Sequence, residues 1–563
     1  MNSKVKVGIV GLVVAFIVIA GVLLLMDVSK EQAITGDTIT ASEAAKILSQ
    51  TMGKVDITEN KAEKGTVTYS ENDAALELPD IDKSYPIAAY PNNKNLVVEI
   101  FCSPEKAGTG MDGWMAELAK KFNDSNQSVG GQSVGIAIRS MSSGPMVDYI
   151  SSGAYIPDAL SPSADMWAKM LEADGVNLTV VTDKTVGNSA GIVIENKIYE
   201  SLKSQYGEVT LKTIVQATAD GVVVAGYTNP FASTAGLNFI AATLYSFDSA
   251  NPLSNTAIDG FNSFQGNVPF VAYNTPQMRN AADNGSFTCF VSEYQQWYND
   301  ATLRNNYTFI PYGVSHNNPL YALADISSER LEALKLFADY CASSEGKDLA
   351  KKYGFDQLNY TSDMPATDGA TWEQMQKLWK QNKSAGKSIA AIFILDKSGS
   401  MSGSPLSSLQ TSLLNSMKYI SADNYIGIIS YSTDVNVDLP LAKFDIEQQA
   451  YFDGAVRGLR ATGSTNTYSA LATGIDMLNK FVADNSNVQP LIFLLSDGDA
   501  SDYRLKTDMQ PVVDYYDIPI YTIGYNADLA ELRELSNINE AASIDADTDD
   551  VVYQLRNLFN ANL

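Results

Sequence analysis

The chain has 563 residues, 45% of them hydrophobic and 18% charged, and its 65 acidic residues against 39 basic ones give a net charge of -26. That length exceeds what one hydrophobic core serves and the composition excludes a disordered chain, so about three or four folded domains are expected. The acidic balance repels phosphate backbones and argues against nucleic-acid binding.

An apolar run over residues 7–26 is long enough, as a helix, to cross a bilayer; Lys4 and Lys6 precede it and Asp27 follows. The positive-inside rule then places residues 27–563 outside the cytoplasm. A cleaved signal peptide is the alternative, but the run is long and MDVSK makes a poor cleavage site. The expectation is a signal anchor over residues 1–30 and a single-pass membrane protein with an extracellular remainder. Residues 31–91 are polar and mixed, with one helical pattern, ASEAAKILSQTM, and short alternating runs such as GTVTYS. They read as a stalk or small accessory module.

From Asn95 the texture changes to strands alternating with amphipathic helices: LVVEIF, MDGWMAELAKKFN, SVGIAIRS, PMVDYISSG. The alternation continues through AGIVIE, TLYSF, SFTCFVSEYQQW and TFIPYGV and ends in a helical stretch from SSERLEALKLF to KKYGF. Such alternation predicts parallel βαβ units. Residues 361–386 break the pattern and read as an interdomain linker, after which a second α/β run begins at Ser388. Three cysteines, Cys102, Cys289 and Cys341, give no disulfide framework: they read as buried thiols or at most one bridge. The one histidine, His316, excludes two-histidine zinc motifs and has no G-x-S-x-G partner, so a structural or loop role is expected for it.

In the C-terminal run, a buried strand over residues 389–395 leads directly into Asp396, Ser398 and Ser400, with a helix over 406–420 behind it. In an open parallel sheet, ligands bind beyond the carboxyl ends of strands. Two more loops reach the same rim: ATGSTNTYSAL carries Thr465 and Asn466, and the strand at 491–495 delivers Ser496, Asp497, Gly498 and Asp499. The oxygen-only set suits a hard divalent ion. Any one turn alone would read equally well as helix capping. Asp499 and Asp502 read as a solvated loop.

These residues resemble a von Willebrand factor type A domain over 387–563, a doubly wound, Rossmann-like fold, with a complete metal-ion-dependent adhesion site. The family's Asp-x-Ser-x-Ser, distal Thr and distal Asp match Asp396, Ser398, Ser400, Thr465 and Asp497; Gly-Ser-Thr stands where Gly-Gly-Thr is usual. The resemblance implies Mg²⁺ (or Mn²⁺ or Ca²⁺) and a protein partner that presents an acidic side chain to it.

Residues 92–360 resemble a two-lobed, periplasmic-binding-protein-like extracellular solute-binding protein of type 2. The resemblance rests on the order of the α/β units, on AYIPDALSPSADMW, on NSAGIVIE as first crossover, on YTNPFASTAGLNF and on FIPYGVSHNNP as return crossover. Ser143-Gly144 and Ser233-Thr234 each stand where a helix begins, where free N–H groups and hydroxyls favour an anion. Ordinary N-capping is the alternative at each loop. The candidate ligand residues are Ser103, Ser142, Ser143, Gly144, Ser189, Ser233 and Thr234, for a small or oxyanionic solute. Arg139 would either add charge to the cleft or face solvent.

The resulting expectation is a membrane-anchored bacterial surface protein that adheres to a protein partner through its metal and captures a solute, without enzymatic activity. The alternative is the binding component of an ABC-type transporter with the C-terminal domain for docking. Catalysis is disfavoured by the single histidine, the missing phosphate loop and the lack of a general base in the three metal loops.

Overall fold

The computed structural model describes residues 39–60, 62–66, 78–268, 271–272, 274–282, 287–362, 364–384, 387–498 and 500–525, with 555, 558, 559 and 563 near the C-terminus. The apolar run at 7–26 lies outside them. Among the described residues no helix is long and apolar enough to cross a membrane, so the expected transmembrane helix and single-pass location are not supported by them. The longest described helix, Thr467–Asp484, has 18 residues, but it includes Asp476, Lys480 and Asp484 and packs against a sheet.

The middle of the chain folds as two α/β lobes. The first is a seven-stranded sheet that includes Leu96–Cys102, Gln132–Ser140, Ala159–Ser161, Leu178–Thr182 and Leu320–Leu323. The second is a five-stranded sheet with Asn188–Glu195 between Cys289–Glu293 and Tyr307–His316. The chain crosses between lobes twice, at 183–187 and again at 317–319. Asn318, in left-handed conformation (φ 48°), joins the two crossings. Its carbonyl accepts Thr185 Oγ1 at 2.6 Å and its Nδ2 donates to Val186 O at 3.0 Å.

Two sequence readings differ here. TLYSF closes the helix Thr234–Phe247 and is not a strand: its apolar residues continue a helix buried over its first eleven positions, so no alternation marks it. The C-terminal helical stretch is two helices, Ser328–Ala342 and Ser344–Lys352, because Ser343 turns out of helical conformation and its hydroxyl caps the second. All three cysteines are buried and free.

The expected linker holds a helix, Gly369–Asn382, started by Asp368, whose carboxylate accepts Thr371 N at 2.7 Å. Trp372, Met375, Leu378 and Trp379 form its apolar face and join the core around Trp167 and Met170 of the first lobe and Tyr227 and Phe239 of the second. Trp379 Nε1 donates to Tyr227 Oη at 2.6 Å, and Gln376 Nε2 to Pro230 O at 2.8 Å. The helix therefore straps both lobes before the chain enters the strand Ser388–Asp396.

The C-terminal sheet has the order Ile57–Glu59, Val435–Lys443, Tyr425–Tyr431, Ser388–Asp396, Val488–Ser496, Ile520–Gly524. Its central strands are apolar on both faces, as helices on both sides require; Phe393 stacks on Phe493 with ring centroids 4.9 Å apart. The edge strand Ile57–Glu59 comes from the segment read as a stalk. It pairs in parallel with Val435–Val437 and covers an otherwise open edge. The preceding helix Ala41–Met52 starts in a capping box between Thr40 and Glu43 and packs on Thr467–Asp484 and Lys506–Tyr516. Thus residues 39–60 belong to the C-terminal fold, and the two-lobed unit is inserted between them and Ser388.

Leu48, 4% exposed, is part of this core. Leu48→Ala is expected to lower the stability of the C-terminal domain by about 2–5 kcal/mol in chemical denaturation. A change near zero would show that the helix is a passive neighbour.

Candidate metal centre and interlobe cleft

Asp396 ends the central strand and has no solvent exposure. Its Oδ2 accepts Ser496 Oγ at 2.6 Å and its Oδ1 accepts the Ser398 amide at 2.8 Å. Ser398 Oγ lies 2.9 Å from Ser400 Oγ, which donates to Asp497 Oδ1 at 3.0 Å. Four of the five residues singled out for a metal thus form one connected set, although Asp396 and Asp497 are 101 positions apart in the chain. Burial pushes the Asp396 carboxyl up; the Ser496 and Ser398 bonds oppose this and the nearby Asp497 charge adds to it.

The Thr465 loop docks alongside. Gly399 N donates to Gly463 O at 3.0 Å, and Thr462 N to Lys397 O at 2.8 Å. Gly463 is left-handed (φ 80°), and a Cβ there would press on Thr433 Oγ1, so glycine is required. Thr465 is buried; its amide donates to Ser501 Oγ at 3.0 Å and its carbonyl accepts Ser501 N at 2.7 Å. These bonds fix its backbone and leave its hydroxyl outside the Ser398–Ser400–Asp497 chain. The set is oxygen-only, two carboxylates and three hydroxyls, and Ser400 at its rim is exposed. It fits a hard divalent ion that keeps some waters.

Sequence reasoning read Asp502 as part of a solvated loop. It instead caps the helix Thr467–Asp484: its carboxylate accepts Tyr468 N at 3.2 Å, Ser469 N at 2.8 Å and Ser469 Oγ at 2.7 Å. Asn466, the residue at the cap position, makes no such bond, so Asp502 satisfies the free amides from another loop. This ties the Asp497 loop to the Thr465 loop. Asp499 lies outside the described residues.

Between the two lobes, the helices Ser143–Ser152 and Thr234–Phe247 meet start to start. Thr234 Oγ1 donates to Ser143 Oγ at 3.1 Å and accepts Trp167 Nε1 at 2.8 Å; Gly144 N donates to Ala232 O at 3.1 Å. A side chain at Gly144 would collide with the Phe231 carbonyl. Ser142 receives Asn274 Nδ2 at 3.4 Å, and Ser233 receives Thr228 Oγ1 at 3.0 Å. Of the donors expected to meet an anion, the Gly144 amide and the Thr234 hydroxyl are therefore satisfied within the protein. Ser103 accepts Lys106 Nζ at 3.0 Å and Ser163 Oγ at 2.9 Å. The Ser189 hydroxyl donates to Ala190 O, in its own strand.

Arg139 faces neither solvent nor the cleft: it is buried, paired with Glu99 and Asp82, and donates to Tyr85 O at 2.7 Å. His316 is not a loop residue but is fully buried at the end of a strand, its Nδ1 2.9 Å from Glu293 Oε1 and its Nε2 3.1 Å from Asn238 Nδ2.

Two family matches agree with this geometry: a bacterial extracellular solute-binding protein over residues 106–356 and a von Willebrand factor type A domain over residues 391–560. The chain carries a solute-binding-protein domain followed by a von Willebrand factor type A domain. Inter-alpha-trypsin inhibitor heavy chain H3 of Bos taurus is 27% identical over 176 residues, 28% of this chain and 19% of that protein, so the match spans about a fifth of the relative. Among solved structures, a von Willebrand factor type A protein from Catenulispora acidiphila aligns at 16% identity over 31% of this chain and 42% of that one, with TM-score 0.28. The sulfate-binding protein SubI from Mycobacterium tuberculosis H37Rv aligns at 16% identity over 47% and 88%, with TM-score 0.35.

Asp502→Ala is expected to lower the stability of the C-terminal domain by about 0.5–2 kcal/mol through loss of the cap, read by thermal or chemical denaturation. A neutral result would show that solvent replaces it.

Proposed function

We propose that the chain is a non-enzymatic binding protein with two recognition devices. The first engages a protein partner through a divalent ion, best Mg²⁺, held by Asp396, Ser398, Ser400, Thr465 and Asp497. The observation that carries this is the connected set from Asp396 through Ser398 and Ser400 to Asp497 at the carboxyl end of the central strands. When bound, the ion supplies an electrophilic position that an acidic side chain of the partner completes. The chain's own residues prepare the place. Ser496 and the Ser398 amide orient Asp396, and Asp502 holds the two distal loops together. Two carboxylates just balance the ion's two positive charges, and the remaining ligands are neutral hydroxyls that leave coordination positions for an outside carboxylate.

The second device captures a small solute between the lobes, whose two crossings are joined at Asn318. The oxyanion reading is not carried forward, because Ser143, Gly144 and Thr234 already bond across the cleft. His316 is occupied structurally, both of its ring nitrogens being engaged in the interior.

The test uses melting temperature of the full chain with and without Mg²⁺. At ~100 times its dissociation constant, Mg²⁺ adds about 2.7 kcal/mol to wild type, a shift of several degrees. Asp396→Asn is expected to fold, to be at least as stable as wild type without the ion because a buried charge is removed, and to lose the Mg²⁺ response. A response retained by Asp396→Asn would contradict the assignment.

A further inference from the structure

The charged side chains between the lobes have not been accounted for by the anion reading. Glu105, Asp112 and Glu293 are buried there with Lys106, and Arg279 joins them from the second lobe. Three carboxylates thus face two cations. Lys106 is sealed by neutral oxygens: Nζ lies within 3.1 Å of Ser103 Oγ, Ser161 O, Pro162 O and Asn318 Oδ1. Arg279 pairs with Asp112 at 3.4 Å. Glu293 faces His316 and Asn188.

Glu105 is left without a direct ion pair: its carboxylate accepts Thr275 Oγ1 at 3.0 Å, Ser163 Oγ at 3.5 Å and its own backbone amide, with the Lys106 charge nearby. Burial, and then the Glu293 charge, push its carboxyl up. A second observation points to the same place. Gln295, with no solvent exposure, donates Nε2 to Glu105 O at 3.1 Å and to Asp112 Oδ1 at 2.9 Å, but its Oε1 has no hydrogen-bond partner among the described residues. A buried acceptor without a donor is destabilising. The site therefore has an excess of negative charge and of acceptors.

We propose that this interlobe cluster binds a protonated amine, with Glu105 as counter-charge and Gln295 Oε1 as acceptor. The inference rests on solute capture by the middle domain and names the class of solute. An ammonium group matches because it brings donors in several directions and one positive charge. A metal ion matches less well: among the described residues no three carboxylate, imidazole or thiol groups come together as ligands. Glu105 and Asp112 stand on the first lobe, Thr275, Arg279 and Gln295 on the second, so an amine held here would couple to lobe closure.

The experiment is calorimetric titration and thermal shift of the full chain with ethanolamine, putrescine, choline and lysine amide, and with sulfate and molybdate as the anion arm. At least one amine is expected to bind and the anions not. Glu105→Gln should weaken that amine at least tenfold. Gln295→Lys, which keeps the donor to Glu105 and Asp112 and brings its own ammonium, should raise the melting temperature and abolish the amine response; it decides the matter if Glu105→Gln does not fold. Binding of sulfate or molybdate but of no amine overturns the proposal and leaves solute capture standing. A fully flat panel overturns both. Amine binding unchanged in both folded variants overturns the assignment to this cluster.

Discussion

The C-terminal domain is organised around one buried negative charge. A carboxylate without solvent exposure is costly unless bonded or compensated, and Asp396 sits at the end of a strand flanked by apolar neighbours on both sides. Ser496 and the Ser398 amide each stabilise it from one side. They do so only if the strands Ser388–Asp396 and Val488–Ser496 end in register and the turn after Asp396 is tight. The same constraint brings Ser400 to Asp497. Parallel pairing from Ser388 with Val488 through Leu395 with Leu495 sets that register.

The middle domain reaches a comparable problem by a different route. Its lobes meet through polar groups, and most of those close on one another: Ser143 with Thr234, Gly144 with Ala232, Glu105 with Thr275. Closure is reinforced by the helix Gly369–Asn382, which lays two tryptophans across both lobes. The same helix runs into the central strand of the C-terminal domain, and residues 39–60 return to that domain's edge. Both ends of the two-lobed unit are therefore attached to the C-terminal domain, and the unit is an insertion rather than a bead on a string.

Much of this was legible in the sequence where a pattern was local. The strand-to-turn sequence around Asp396 and the Thr465 and Asp497 loops could be placed on one sheet edge, because buried apolar strands announce their carboxyl ends. The apolar spacing of Trp372, Met375 and Trp379 was also visible, yet the polar residues around it concealed a helix whose partners lie elsewhere in the chain. The roles of Asp502, read as part of a solvated loop, and of Ser496 were not legible because they are tertiary: one caps a helix that begins 35 residues earlier, the other bonds a carboxylate 100 residues away. The Ser-rich helix starts at 143 and 234 were correctly located as helix starts, but sequence does not show that they face each other. Ile57–Glu59 is held by backbone pairing, with all three residues exposed, so no side-chain pattern marks it.

In the proposed function the carboxyl edge of the C-terminal sheet holds one divalent ion. The most direct test is a crystal structure of the full chain grown with Mn²⁺, read by anomalous scattering at the metal edge. One strong peak is expected within bonding distance of Asp396 or Asp497 and of the Ser398 and Ser400 hydroxyls. Ordered loops with the same hydrogen bonds and no peak among them would contradict it.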